Sequence, residues 1–328
     1  MSEKLLSIEN LVIHFETDDG VVEAVNGVSL SLTKGETLGL VGETGAGKTT
    51  TALGIMRLIP DPPGRIISGS IHFGGEDVLS LSKSDLQKYR GHRVSMIFQD
   101  PMTSLNPVIN VGNQIVEAIE LHKDLTHAEA IAEAENMLEL VGIPKERFQD
   151  YPHQFSGGMK QRVVIAIALC CNPELLIADE PTTALDVTIQ AQVLDMMRKL
   201  KEEFQTSMIM ITHDLGVVAE TCDRVAIIYA GQIIEMGDRR DIFKDSRHPY
   251  TIGLFNSIPR LDQEVRRLES IKGLMPDSMN LPKGCNFCER CTRSIEICKD
   301  TEPEMKELTP GHFVKCHVCA AEAEEVSQ

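Results

Sequence analysis

Eight consecutive residues constrain this chain more than any others. Gly42-Glu43-Thr44-Gly45-Ala46-Gly47-Lys48-Thr49 completes the pattern G-x-x-x-x-G-K-[ST]. A short apolar run, Glu36 to Val41, precedes it, and a helical pattern, Lys48 to Leu58, follows. A strand that turns through glycines into a helix N-terminus directs backbone N–H groups at phosphate oxygens, where the helix also supplies favourable partial charge. The pattern therefore predicts a phosphate cradle made by Gly42, Glu43, Thr44, Gly45, Ala46, Gly47 and Thr50. Lys48 is predicted to reach the β- and γ-phosphates, and Thr49 to offer its hydroxyl to Mg²⁺. A chance glycine-rich turn is the alternative, and the strand before and helix after argue against it.

The rest of the chain to about Ser257 alternates strand and helix signals, which predicts an α/β core. Leu5 to Phe15 and Val25 to Leu32 alternate as half-buried strands. Val94 to Phe98, Leu175 to Ala178, Met208 to Ile211 and Val225 to Tyr229 are continuous apolar runs of the buried-strand type. Helical periodicity covers Val111 to Val141, with Thr126 as an N-cap within it, and Gly157 to Cys171. The helical block at about 99–173 reads as an inserted subdomain. After about Pro259 Pro, Cys and charged residues rise. Leu261 to Ile271 is a candidate helix, the remainder is loop-rich and needs a staple to hold together, and Glu322 to Gln328 reads as a frayed tail. The division expected is 1–257 for the nucleotide-binding domain and 258–328 for a small Cys-rich extension.

Composition excludes several classes. With 42% hydrophobic and 25% charged residues in 328, the chain is not globally disordered. No apolar run approaches the ~20 residues of a membrane helix, and no basic-then-apolar leader opens the sequence, so the cytoplasm is the expected compartment. The formal charge of −17 makes nucleic acid a poor default partner. A free nucleotide is still permitted, because a local loop binds it against the global charge.

A second motif is Leu175-Leu176-Ile177-Ala178-Asp179-Glu180, an apolar strand ending in two carboxylates. Asp179 is placed to hold Mg²⁺ and Glu180 to deprotonate an attacking water. A third, Ser156-Gly157-Gly158-Met159-Lys160-Gln161, opens a helix and leaves N–H groups free. Alone, it is no more than a helix cap. In this order the motifs resemble the ATP-binding cassette family. Gln99 matches that family's Q-loop, Ala184-Leu185-Asp186 its D-loop, and His213 its switch histidine, over residues 5 to about 257.

The resemblance implies a fold and a mechanism. The fold is a P-loop NTPase core with an antiparallel β subdomain and an inserted helical subdomain. Two such domains face head to tail, and ATP lies between the phosphate loop of one and Ser156, Gly157 and Gly158 of the other. Mg²⁺ would be held by Thr49, Asp179 and Gln99, with His213 on the γ-phosphate and Gln99 linking the site to membrane subunits. Phe15 is the best match to the aromatic that stacks on adenine, with a buried strand Phe as its alternative. Closer similarity is to the dipeptide/oligopeptide importers, in Met96 to Pro107, Tyr151 to Gly158, Asp179 to Thr188 and His248-Pro249-Tyr250-Thr251. One departure is Lys160 where Arg is usual, which keeps the charge and loses the bidentate fork.

Six of the nine Cys fall between Cys285 and Cys319. In a reducing compartment such a group suggests a metal site before disulfides. Gly284 to Cys291 resembles the G-C-x-F-x-x-R-C element that follows the importer core. The resemblance implies Cys285, Cys291, Cys298 and Cys316 as ligands of a [4Fe–4S] cluster, with Cys288 and Cys319 as extras. Zinc is the runner-up metal. A disulfide pair and free thiols are the remaining alternatives.

The sequence thus reads as an ATPase subunit of a peptide importer. Its expected partners are integral membrane permease subunits, a second ATP-binding cassette ATPase (a paralogue more readily than an identical chain) and, indirectly, an extracytoplasmic peptide-binding protein. The expected location is the cytoplasmic face of the cell membrane. Alternatives are an importer of another solute such as nickel, a soluble DNA-repair ATPase of the same family, and a regulator that hydrolyses little. Glu180 argues against the last, since a silent site usually lacks the base.

Overall fold

The computed structural model describes residues 3–183, 185–257 and 271–326. The chain forms two compact units, each assembled from separated segments.

The first unit takes residues 1–5, 32–37 and 80–212. Its centre is a parallel ribbon in which Leu175–Asp179 lies between Val94–Ile97 and Ser207–Ile211. The register pairs Val94 with Leu175 and Ile97 with Ala178, then Leu175 with Ser207 and Asp179 with Ile211. Every residue of these strands is buried. A strand covered on both faces selects an unbroken apolar run, which is why the apolar runs alone locate them. Helices Val111–His122, His127–Leu140, Gly157–Leu169 and Val187–Phe204 belong to this unit. The helical stretch from Val111 to Val141 divides at Lys123. There Thr126 caps the second helix through a full capping box with Glu129, whose carboxylate accepts the Thr126 N–H at 2.8 Å.

The second unit takes residues 6–31, 38–79 and 213–328. It contains an antiparallel sheet in the order Gly20–Thr33, Lys4–Thr17, Gly64–Phe73, Glu76–Asp77. Leu6 pairs with Phe73 and Ile8 with Ile71, and a bulge between Glu9 and Val12 breaks the register. A second set of strands begins with Thr37–Val41, parallel to Arg224–Tyr229. Gln232–Asp238 runs antiparallel to the latter, His312–Lys315 pairs with Gln232–Asp238, and Met305–Thr309 pairs with His312–Lys315 at the edge.

The last two strands correct one expectation. The Cys-rich extension is not merely loop: it adds a hairpin to the sheet, turned at Gly311 with φ +81°. Val314, Cys316 and Cys319 form a small core with Leu308 and Val318 against it. The expected frayed tail is corrected for Glu322 to Val326, while Ser327 and Gln328 lie outside the described residues. His317–Val326 is a helix, tied down by ion pairs of Glu322 to Arg293 and of Glu324 to Lys306. The helix expected at Leu261 to Ile271 lies almost wholly outside the described residues.

Candidate nucleotide site

The phosphate loop stands where the sequence predicts it, between the strand Thr37–Val41 and the helix Lys48–Ile55. Its glycines are required by what lies behind them. A Cβ on Gly42 would stand 2.2 Å from the Ile228 carbonyl oxygen, and one on Gly47 (φ +100°) 2.5 Å from that of Ala24. Both distances are well inside contact with backbone that cannot step aside. The Gly231 N–H donates to the Ala46 carbonyl at 3.0 Å, which holds the turn from behind. Thr44 and Gly45 are exposed at the crest, and Ala46, Gly47 and Lys48 are buried. Lys48 Nζ donates to the carbonyls of Gly42 at 2.8 Å and Glu43 at 2.9 Å. The ammonium is thus drawn back over the loop that it serves. Thr49, exposed, and Thr50, half-buried, begin the helix. Phe15 is half-buried opposite Gly64, with its ring 2.7 Å from where a Gly64 Cβ would stand.

The first unit carries the carboxylates. Asp179 is buried at the end of its strand. Glu180 follows with φ +48°, a left-handed backbone that costs a non-glycine residue energy and is commonly held at functional positions. Its N–H donates to the Ile211 carbonyl at 2.8 Å. Its Oε2 accepts from Gln99 Nε2 at 3.1 Å and from Thr183 Oγ1 at 2.9 Å. The structure therefore brings together Gln99 and Glu180, which lie 81 residues apart. It also adds Thr183, to which the motif pattern assigns no role. The Gln99 amide N–H is thus turned to Glu180. The oxygen donors proposed for Mg²⁺ (the Thr49 hydroxyl, the Asp179 carboxylate and the Gln99 amide) are of the hard type that ion takes.

Ser156 caps the helix Gly157–Leu169, its hydroxyl accepting the Met159 N–H at 3.4 Å. Ser156 and Gly157 are exposed, and Gly158 sits over Ile189, whose Cγ2 would lie 2.6 Å from an added Cβ. Asp186 caps the helix Val187–Phe204, while Ala184 lies outside the described residues. His213 is exposed beside Asp214, which caps the helix Leu215–Thr221.

Among the described residues no group of three or more His, Cys, Asp or Glu side chains is arranged to hold a metal ion. The four candidate thiols nevertheless lie within electrostatic reach: Cys298, Cys316 and Cys291 all act on Cys285. Burial pushes the Cys285 thiol up to about 12 and also raises Cys291. A hydrogen bond from Cys319 draws Cys316 down to about 6. The Cys285 N–H donates to the Cys298 carbonyl at 2.8 Å, and the Arg293 N–H donates to Cys291 Sγ at 3.4 Å.

A glycine-rich phosphate loop at a strand–helix junction and a buried strand ending in paired carboxylates are the two parts of a P-loop nucleotide hydrolase. Comparison with known proteins narrows the class. The ABC transporter family model matches residues 25–183, and that of the oligopeptide/dipeptide transporter C-terminal region matches 234–298. The oligopeptide transport ATP-binding protein OppD of Escherichia coli K12 is 51% identical over 317 residues, 96% of this chain and 93% of that one. The dipeptide transport ATP-binding protein DppD of Bacillus subtilis is 49% identical over 96% of this chain and 94% of its own. A dimeric ATP-binding cassette solved with ADP and Pi has the same fold, at TM-score 0.65 and 24% identity over 72% of this chain and 99% of that one. The chain belongs to the ATP-binding cassette family, in the branch of the oligopeptide and dipeptide transport ATP-binding proteins.

Proposed function

We propose that this chain is the ATP-hydrolysing subunit of an importer of oligopeptides or dipeptides. The observation that carries the reading is the near-complete match, at about half identity, to ATP-binding proteins of oligopeptide and dipeptide transport. The importer-type C-terminal match on the same chain supports it. Neither the DNA-repair nor the other-solute reading has an observation in its favour.

In this reading the loop Gly42–Thr50 binds the phosphates of ATP through its N–H groups and Lys48, and Phe15 faces the base. Thr49, Asp179 and Gln99 hold Mg²⁺, which when bound neutralises phosphate charge. Glu180 takes the proton of the attacking water, and Gln99 and Thr183 fix its carboxylate. His213 contacts the γ-phosphate. Ser156, Gly157 and Gly158 serve the nucleotide of a second ATPase subunit, a paralogue by resemblance. Permease subunits receive the stroke, and an extracytoplasmic peptide-binding protein supplies the solute. The chain would sit on the cytoplasmic face of the membrane. No helix among the described residues is long and apolar enough to cross one.

Residues 258–328 complete the proposal as a metal-binding extension beside the 1–257 nucleotide-binding domain. Cys285, Cys291, Cys298 and Cys316 would hold a [4Fe–4S] cluster, with zinc as the runner-up. What supports this reading is the donor type, all thiol, with Cys291, Cys298 and Cys316 acting electrostatically on Cys285 and one sulfur accepting a backbone N–H, although the described side chains are not arranged as a ligand group. A bound metal would take the place of the Cys285 proton that burial retains.

The test of the ATPase reading is Glu180→Gln in the assembled transporter. ATP binding persists and hydrolysis falls about 10²–10⁴-fold, the usual worth of a general base. Lys48→Ala loses binding itself. Wild-type turnover in the Glu180→Gln complex would contradict the assignment.

A further inference from the structure

The Cys-rich extension reaches the phosphate loop directly. Arg290 stands on the short turn Cys288–Arg290, and its side chain is only 7% exposed. Its Nη1 donates to Glu43 Oε2 at 3.1 Å and to Tyr229 Oη at 3.3 Å, and its Nε donates to the Lys272 carbonyl at 3.1 Å. Glu43 is the second residue of the phosphate loop. Its own N–H donates to Tyr250 Oη at 3.1 Å. Phe287, three residues before Arg290, packs edge-on against Tyr229 and Tyr250 with ring centres 5.3 and 5.4 Å apart. Further along the loop, Met275 Cε lies 3.2 Å from where a Gly45 Cβ would stand. Residues 43 and 45 of the loop are therefore both met by groups from beyond residue 270.

A phosphate loop binds by the aim of its N–H groups, so what fixes its backbone fixes its affinity. A guanidinium this deeply buried is costly without its carboxylate. Arg290 and Glu43 therefore hold each other in one arrangement, and the loop's entry is pinned with them. No motif rule for phosphate loops assigns a role to the second position or to an arginine 247 residues away.

We propose that Arg290 is a positioning residue of the phosphate loop. Acting through Glu43, it makes this chain's nucleotide affinity depend on the Cys-rich extension. The proposal rests on residues 42–49 being the nucleotide site, and the controls separate the two.

The experiment is equilibrium titration of the full-length chain with Mg·ATP and Mg·ADP. Wild type is compared with Arg290→Lys, Glu43→Ala, the double variant and Lys48→Ala. Each single variant should bind ATP at least about fivefold more weakly, the low end of typical coupling between sites, at a temperature where each variant is fully folded. Glu43→Ala, which leaves the guanidinium without its carboxylate, should also lower the thermal unfolding midpoint. The double variant should be no weaker than the worse single, as for two ends of one contact. Affinities within twofold of wild type in both singles, with Lys48→Ala binding nothing, overturn the proposal and leave the site reading intact. Losses that add in the double variant also overturn it. If Arg290→Lys does not fold, Glu43→Ala and Tyr250→Phe decide, and wild-type affinity in both overturns it. A wild-type chain that binds no ATP sinks the site reading and the proposal together.

Discussion

At the scale of single residues, function here is set by what stands behind the loop as much as by the loop. Gly42 is the sharpest case. An added methyl would meet the Ile228 carbonyl at 2.2 Å, and neither partner is a flexible side-chain tip. Gly42→Ala must therefore move the loop away from the strand Arg224–Tyr229. We expect about 1–3 kcal/mol of destabilisation, the usual cost of overpacking, together with loss of ATP binding. Chemical denaturation and ATP titration of the same preparation check both. Glu180 shows the complementary situation. Its φ of +48° is tolerated because Ile211, Gln99 and Thr183 each hold part of it. The Asp-Glu pair at the strand end is legible in the sequence, since an apolar run with two terminal carboxylates is a local pattern. The Gln99 contact and the Thr183 hydroxyl are not legible as partners of Glu180, because spacing within one segment carries no information about distant pairing.

At the scale of elements, strands are legible wherever burial on both faces produces continuous apolar runs. Strands of weaker pattern escape that signal: Gly64–Phe73, Gln232–Asp238 and the hairpin of Met305–Thr309 with His312–Lys315. The helix Pro249–Asn256 has a different marker, a buried histidine at its start. His248 caps it, its Nδ1 accepting the Tyr250 N–H at 3.1 Å. Burial lowers the His248 pKa from 6.5 to about 4, against the opposing pull of Glu235. Glu235 is itself fully buried and accepts from the N–H groups of Arg247 and His248, with His312 Nε2 at 2.8 Å from the same carboxylate. Between pH 6.5 and 4 the unfolded chain binds the His248 proton more readily than the folded chain. Stability from this group is thus complete above pH 6.5 and is lost as pH falls toward 4, by about 3 kcal/mol at most. His248→Asn keeps a capping oxygen and removes the titration. Its unfolding free energy should fall less steeply over that window than the wild type's. Equal slopes in denaturant titrations at about pH 4, 5, 6 and 7 would refute this.

At the scale of the whole molecule, two expectations concern composition. Anaerobically purified protein should contain iron and acid-labile sulfide in the ratio of one [4Fe–4S] cluster per chain. Stoichiometric zinc without iron or sulfide would replace the cluster with the runner-up, and neither metal, in protein kept from oxygen and chelator, would remove the site. The purified transporter should contain this chain beside a different ATPase, as the resemblance to dipeptide importers implies, with Ser156 to Gly158 proposed to serve that partner's nucleotide. A complex with two copies of this chain and no second ATPase would contradict the paralogue. The sequence by itself determined the phosphate loop, the carboxylate strand and the local elements that present them, because each is encoded within a few consecutive residues. Only the tertiary structure decided what holds those parts. Arg290 reaches Glu43 across 247 positions, Gln99 reaches Glu180 across 81, and the Cys-rich segment joins the sheet through Glu235 and Val314. Such pairings depend on how burial closes the chain on itself, and no periodicity or spacing along one segment encodes that.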